Sequence, residues 1–168
     1  MKAVSTDRSP ATPSGPATLP GSAAAGADRS RLRDLSGRTD VEDLVRGFYR
    51  AAFADPLIGP VFTDVARMDL EAHMPVMCDF WESVLFRAGK YHGNALQPHL
   101  ALNRSVALEQ QHFARWLGIW QATVDSLFLG EKAELAKTQA VRIGGSLLRR
   151  LHDGDASEYV TVRRRENG

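Results

Sequence analysis

His73-Met74-Pro75-Val76-Met77-Cys78-Asp79-Phe80-Trp81 and, a short gap later, Tyr91-His92-Gly93-Asn94-Ala95-Leu96-Gln97-Pro98-His99 decide how this 168-residue chain is read. In the first stretch His73, Met77, Phe80 and Val84 fall on one stripe at helical spacing, which predicts a helix from about Asp69 to Arg87. Pro75 leaves two options, because its ring collides with the carbonyl of Glu71 in a regular helix. Either the helix begins near Met74, with Pro75 in its first turn, or it bends there, and both place His73 at a helix beginning. The second stretch belongs to a polar segment, Gly89 to Leu102, that reads as a loop with at most a short helix.

Outward from these stretches the apolar period stays helical and never alternates as strands do. Thr39-Asp40-Val41-Glu42 reads as a capping box, in which the Thr39 hydroxyl and the Glu42 carboxylate each satisfy a free helix-end amide. Val41, Leu44, Val45, Phe48 and Ala52 form the buried face behind it, Asp55-Pro56 stops that helix, and Gly59-Pro60 turns the chain toward Phe62. Ser105 can cap a further helix with the face Phe113, Trp116, Leu117, Trp120, Val124 and Phe128, ended by Gly130. A last helix, about Glu131 to Leu151, buries Ala136, Ala140, Ile143, Leu147 and Leu151, with Gly154 as its stop. The expectation is all-α: four main helices and one long loop that carries His99.

A bundle of this size has no use for a polar crossing of about fourteen residues unless the crossing binds something. His73 and His99 each lie among residues that fit one side of a slot lined by Met, Phe and Trp. An iron porphyrin needs that pairing: an axial imidazole on one face, polar gating on the other. A haem among the helices would replace core volume, and His99 would tether the loop through iron. No Gly-x-Gly-x-x-Gly or Walker pattern competes with this reading, nor does any Ser-His-Asp spacing. A zinc site is poorly supported, with one cysteine and no closely spaced helical histidines.

Residues 1–38 form a separate block in which Pro10, Pro13, Pro16 and Pro20 are scattered through Ala, Ser, Gly and Thr. With no apolar periodicity, it cannot recover its ordering entropy and reads as a disordered tail. Asp7, Asp28 and Asp34 count against a transit peptide, and no apolar h-region suggests a secretory signal. The folded domain is expected over residues 39–153, followed by a polar tail at 154–168 whose Arg163-Arg164-Arg165 reads as solvated. A net charge of +1 argues against nucleic acid or an anionic membrane as partner. No apolar run is long enough for a membrane helix, and the lone Cys78 suits a reducing, cytoplasmic setting.

Phe48-Tyr49, Leu57-Ile58-Gly59-Pro60-Val61-Phe62, His73 with Phe80-Trp81, Tyr91-His92-Gly93, His99-Leu100 and Phe113 with Trp116-Leu117 together resemble a truncated haemoglobin of group III. The resemblance covers about residues 40 to 152. It implies a truncated globin-like two-over-two helical sandwich around haem b, with helices B, E, G and H and the proximal helix replaced by a loop. Carried over residue by residue, it makes His99 the proximal iron ligand, with Nε2 on the metal and Nδ1 donating to a backbone carbonyl. Tyr49, His73 and Trp116 become the distal group that stabilises or gates ligands. Phe62 wedges against the porphyrin, and Met77 and Phe80 cover its faces. The proline-rich N-terminal extension lies outside the family core. Arg104 and Lys90 are the cations whose positions suit the porphyrin carboxylates.

The chemistry of these side chains leads the same way. Tyr49 O–H and Trp116 N–H are donors for a bound dioxygen that has drawn charge from ferrous iron. Such a pocket suits peroxidase-like or nitric-oxide-detoxifying chemistry better than oxygen delivery. The expected partners are diatomic gases (O2, CO, NO) and a reductase, with neither nucleic acid nor membrane. The alternative is a gas-responsive sensor or carrier that acts through a partner held by the N-terminal tail.

Overall fold

A computed structural model describes the backbone of residues 31–166 and the side chains of residues 31–153. The Pro-rich stretch read as a tail therefore lies, up to residue 30, outside the described residues. Helix α1 spans Arg38–Phe53, α2 Leu70–Phe86, α3 Leu96–Ser105, α4 Gln110–Leu127 and α5 Glu131–Glu166, and a five-residue π-helical turn occupies Val61–Val65. No strand occurs among the described residues, and no helix there is long and apolar enough to cross a membrane.

Helix α1 packs on α2 and α4, and α4 packs along α5, so two helix pairs lie across each other. Their shared core holds Val41, Leu44, Val45, Phe48 and Ala52 from α1 and Cys78, Trp81 and Leu85 from α2, all buried. At its centre the Trp81 and Trp120 rings stack, with centroids 4.1 Å apart and planes 17° from parallel. Burial leaves the Trp120 indole only one polar demand, met by donation to the Ala136 carbonyl at 3.2 Å.

Helix α2 follows the sequence expectation to within a residue at each end. Asp69 is its N-cap, accepting from the backbone N–H groups of Glu71 and Ala72 at 3.1 and 3.2 Å. The late start is overturned: the helix begins at Leu70 and runs on through Pro75. His73 is its fourth residue, still in the first turn, with its N–H on the Asp69 carbonyl.

Five expectations are corrected. The box at Thr39–Glu42 does not form: α1 starts at Arg38, and the Glu42 carboxylate takes the Arg38 guanidinium instead. Asp40 turns backward and accepts from the Ser36 N–H and hydroxyl and from Arg33. The domain edge at residue 39 is too late, because Leu35 is buried in the core and Asp34 caps α5. Its carboxylate accepts from the N–H groups of Lys132 and Ala133 at 2.8 and 2.9 Å, beside Gly130 at φ 152°. A side chain at Gly130 would collide with that carboxylate.

The third correction concerns the stretch read as a loop with at most a short helix: residues 89–95 stay outside helix, but His99 sits on the ten-residue helix α3. Fourth, Ser105 ends α3 instead of capping α4, whose box is built by Glu109 and His112. Fifth, Gly154 does not stop the last helix, and the backbone of residues 154–166, read as a polar tail, continues it. Local composition decides poorly in these cases, since neighbouring helices satisfy backbone groups that the sequence leaves open.

Candidate functional site

Between α2, α3 and the α4–α5 pair lies a cavity of about 540 Å³, a size suited to a ligand larger than a metabolite fragment. Tyr49, Phe62, His73, Met77, Phe80, His99 and Trp116, the seven residues singled out from the sequence, all line it. They arrive from α1, the π-helical turn, α2, α3 and α4, so no single stretch of chain could have built it.

On the α1–α2 side the Tyr49 hydroxyl and His73 Nε2 are 3.1 Å apart, with the two rings edge to face. Tyr49 is buried, and burial pushes its phenol well above the usual range. Burial likewise lowers the His73 imidazole, with a smaller contribution from His99, so its neutral form is favoured. A neutral imidazole and a phenol can exchange donor and acceptor roles across one contact. Phe62 packs edge-on against Tyr49 at 5.8 Å, and Trp116 sits against Phe48 at 5.7 Å and parallel to Trp120. Among the described residues the Trp116 indole N–H has no hydrogen-bond partner, whereas that of Trp120 is taken.

On the α3 side His99 Nδ1 lies 2.6 Å from the carbonyl oxygen of Ala95, one turn earlier. A carbonyl only accepts, so Nδ1 carries the proton and Nε2 keeps its lone pair. That is the tautomer a divalent iron requires of a histidine, with the ring oriented by its outer hydrogen bond. Apart from Tyr91, Ser105 and His112 the rest of the wall is apolar, and among the described residues no lysine or arginine lines it. An apolar slot with a free imidazole nitrogen on one side and donors on the other fits a flat iron porphyrin.

No protein-family model and no curated protein sequence matches this chain. Its backbone is similar to the crystal structure of the group III truncated hemoglobin from Campylobacter jejuni, with a TM-score of 0.63, over 71% of this chain and 94% of that one. The fold is that of a truncated haemoglobin. Sequence identity to that structure is 22%, so the likeness carries the architecture and leaves the side chains to be judged on their own geometry.

Within this truncated-haemoglobin fold several wall residues went unread in the sequence. His112 lines the cavity four residues before Trp116, on the same face of α4. Gly144 lines it from α5, where a side chain would approach the Phe113 and Trp116 rings at 3.8 and 3.9 Å. Ile143 and Leu147, read as core, also face it. Spacing from Trp116 could have found His112; nothing local marks Gly144. Two other sequence candidates lie off the wall. Lys90 is held by both Glu82 carboxylate oxygens at 3.0 Å, and Arg104 is exposed and off the wall. Cys78 is buried in the core, where burial pushes its thiol up, and it does not reach the cavity.

Proposed function

We propose that this chain is a haem b protein that binds dioxygen and other diatomic ligands at an iron held by His99. The observation that carries the proposal is the His99 tautomer set by the Ala95 carbonyl at 2.6 Å, opposite the Tyr49–His73 pair in one cavity. His99 would hold the iron, and Phe62, Met77, Phe80 and Trp116 would enclose the ring. When bound, haem supplies reversible capture and partial reduction of a diatomic ligand. Everything else is the work of the chain.

Trp116 donates from Nε1 with no competing acceptor. Tyr49 donates once its O–H swings away from His73, and His73 then donates back to the phenol oxygen from Nε2. The charge that develops in the cavity thus meets two neutral donors whose protons do not leave at neutral pH. Each hydrogen bond to a charged acceptor contributes about 1.5–3 kcal/mol, and two together slow ligand loss on the order of 10²-fold or more. Strong retention with a polarised outer atom favours peroxide or nitric oxide chemistry over oxygen delivery, with a reductase as electron donor. His73, in the first turn of α2, gates entry.

The test is the visible spectrum of the full chain reconstituted with hemin, in ferric, reduced and CO-bound forms, for wild type and His99→Gly. A sharp Soret band that shifts with CO and is disrupted in the variant supports the proposal. Absence of stoichiometric uptake by the wild type removes it. Tyr49→Phe and Trp116→Phe then address the distal roles: each should raise the oxygen dissociation rate about tenfold, and changes below about twofold would reject them.

A further inference from the structure

His112 and His99 line the same cavity in opposite tautomers. The backbone N–H of Glu109 donates to His112 Nδ1 at 3.1 Å, and an N–H cannot accept, so the proton of the neutral ring lies on Nε2. One histidine of the wall therefore presents a lone pair and another presents a donor. His112 is half-buried and Ser105, which also lines the cavity, is exposed, so the two mark the rim where the apolar wall meets solvent. A porphyrin brings two carboxylates to such a rim, and a carboxylate left without donors at an apolar edge is costly. Among the described residues the wall offers no lysine or arginine to meet them. Lys90 is already bound by Glu82. The Glu109 carboxylate, at the start of the same helix, is occupied by the N-terminus of α4 and by the Gln111 amide at 2.9 Å, which keeps it from competing for the His112 donor.

We propose that His112 Nε2–H, together with the Ser105 hydroxyl, forms a carboxylate-binding pair at the cavity rim that takes one carboxylate of the porphyrin. The inference rests on the haem reading above and adds to it where the ring's acidic edge is held. Arg104, next to Ser105 and exposed with no ion pair among the described residues, adds positive charge beside the same rim. Because His112 also closes the N-terminal box of α4, helix start and carboxylate anchor are coupled in a single ring.

The experiment loads the full chain with iron protoporphyrin IX or with its dimethyl ester, which lacks the charged oxygens. It measures the rate of transfer of each to an excess of an acceptor apoprotein. His112→Leu should release the diacid about tenfold faster than wild type, the loss expected for one hydrogen bond to a charged acceptor. The diester should leave both proteins at rates within about twofold, since no charge is present to lose. Ser105→Ala, which leaves the helix box intact, should speed the diacid about threefold and the diester little. A general loosening of α4 would speed both ligands equally, so an unchanged diacid-to-diester ratio in the two variants overturns the proposal. Failure of the wild type to take up iron protoporphyrin at all overturns the haem reading and this inference with it. A retained Soret band with an unchanged ratio overturns this inference alone.

Discussion

The two sides of the cavity are built differently. Helix α1, which supplies Tyr49, buries seven of its residues, among them Val41, Leu44, Val45 and Ala52 with no exposed surface. Helix α3, which supplies His99, buries none of its ten. It rests on half-buried Leu96, Leu100 and Leu102 against a small satellite of Val61, Leu108 and Leu151. The donor side is therefore part of the core and is formed by folding itself. The His99 side carries few buried contacts of its own, which places it at the low end of local stability. A pocket with one fixed wall and one lightly held wall keeps its polar geometry while the other side closes on a large flat ligand.

The sharpest way to break this contrast is to damage each side in turn and measure unfolding of the unloaded protein. Trp120→Ala removes a ring stacked at 4.1 Å on Trp81 and should cost about 3–5 kcal/mol. His99→Gly should cost under about 1 kcal/mol and still abolish haem uptake. Equal losses would mean that α3 belongs to the core after all. A gentler probe is amide hydrogen exchange with and without hemin. At a hundredfold excess over the dissociation constant, binding adds about 2.7 kcal/mol to whatever opens only in the free form. Residues 96–105 should gain most of their protection on loading, and the α1 amides little; uniform gain along the chain would reject a lightly held wall.

This same asymmetry sets what could be read from the sequence. The core side was legible because Val41, Leu44, Val45 and Phe48 repeat at helical spacing against a polar opposite face. Such a stripe survives any detail of capping. Its precise start was not: Glu42 leaves the local box for Arg38, and Asp40 ties the helix start back to Ser36 and Arg33, in the chain before the helix. The sequence allows at most a short helix where α3 lies, because the segment buries no residue to mark a stripe and carries Pro98, which proves tolerated in its first turn. His99 is singled out by the sequence and lines the cavity, whereas its hydrogen bond to the Ala95 carbonyl follows only once the segment is helical. His112 is harder to read, since one ring both closes a helix end and faces the cavity, and only its spacing from Trp116 points to the second role.

Asp40 gives the contrast a pH signature. Hydrogen bonds from Arg33 and from Ser36 hold its carboxyl well below the usual range against the opposing effect of burial. A depressed carboxylate contributes stability that is fully present above its unfolded value and is lost as pH falls through and below the ordinary carboxylate range. Asp40→Asn should therefore destabilise the unloaded protein by about 1.5–3 kcal/mol at neutral pH, where a charged acceptor is lost. It should also flatten the acid limb of the stability curve below about pH 4. Because the effect lies on the core side, hemin affinity should stay within about twofold; an acid limb as steep as that of wild type would show that other carboxylates govern it.

The smallest expected effect sits at the corner between the two sides. Arg67 adopts φ 46°, a left-handed conformation that L side chains rarely take, directly after the π-helical turn. The corner is fixed by Met68 N–H on the Phe62 carbonyl at 3.0 Å and Ala66 N–H on Val61 at 2.9 Å, and Phe62, Ala66 and Met68 line the cavity. Strain of this kind persists only where surrounding contacts impose it, and it collects beside binding sites. Arg67→Gly removes the Cβ that opposes the conformation while giving the unfolded chain more freedom. The Arg67 side chain is exposed and is not among the residues that line the cavity, so little else changes. The net expectation is a gain of about 0.5 kcal/mol in the unloaded protein, read from denaturant unfolding. If haem closure tightens the corner, the gain persists or grows in the loaded protein; if closure relaxes Arg67 out of the left-handed region, the gain shrinks to nothing on loading. A loss of stability in the unloaded variant would mean that the guanidinium or its stem holds the corner, and that the strained turn is part of the fixed wall rather than its hinge.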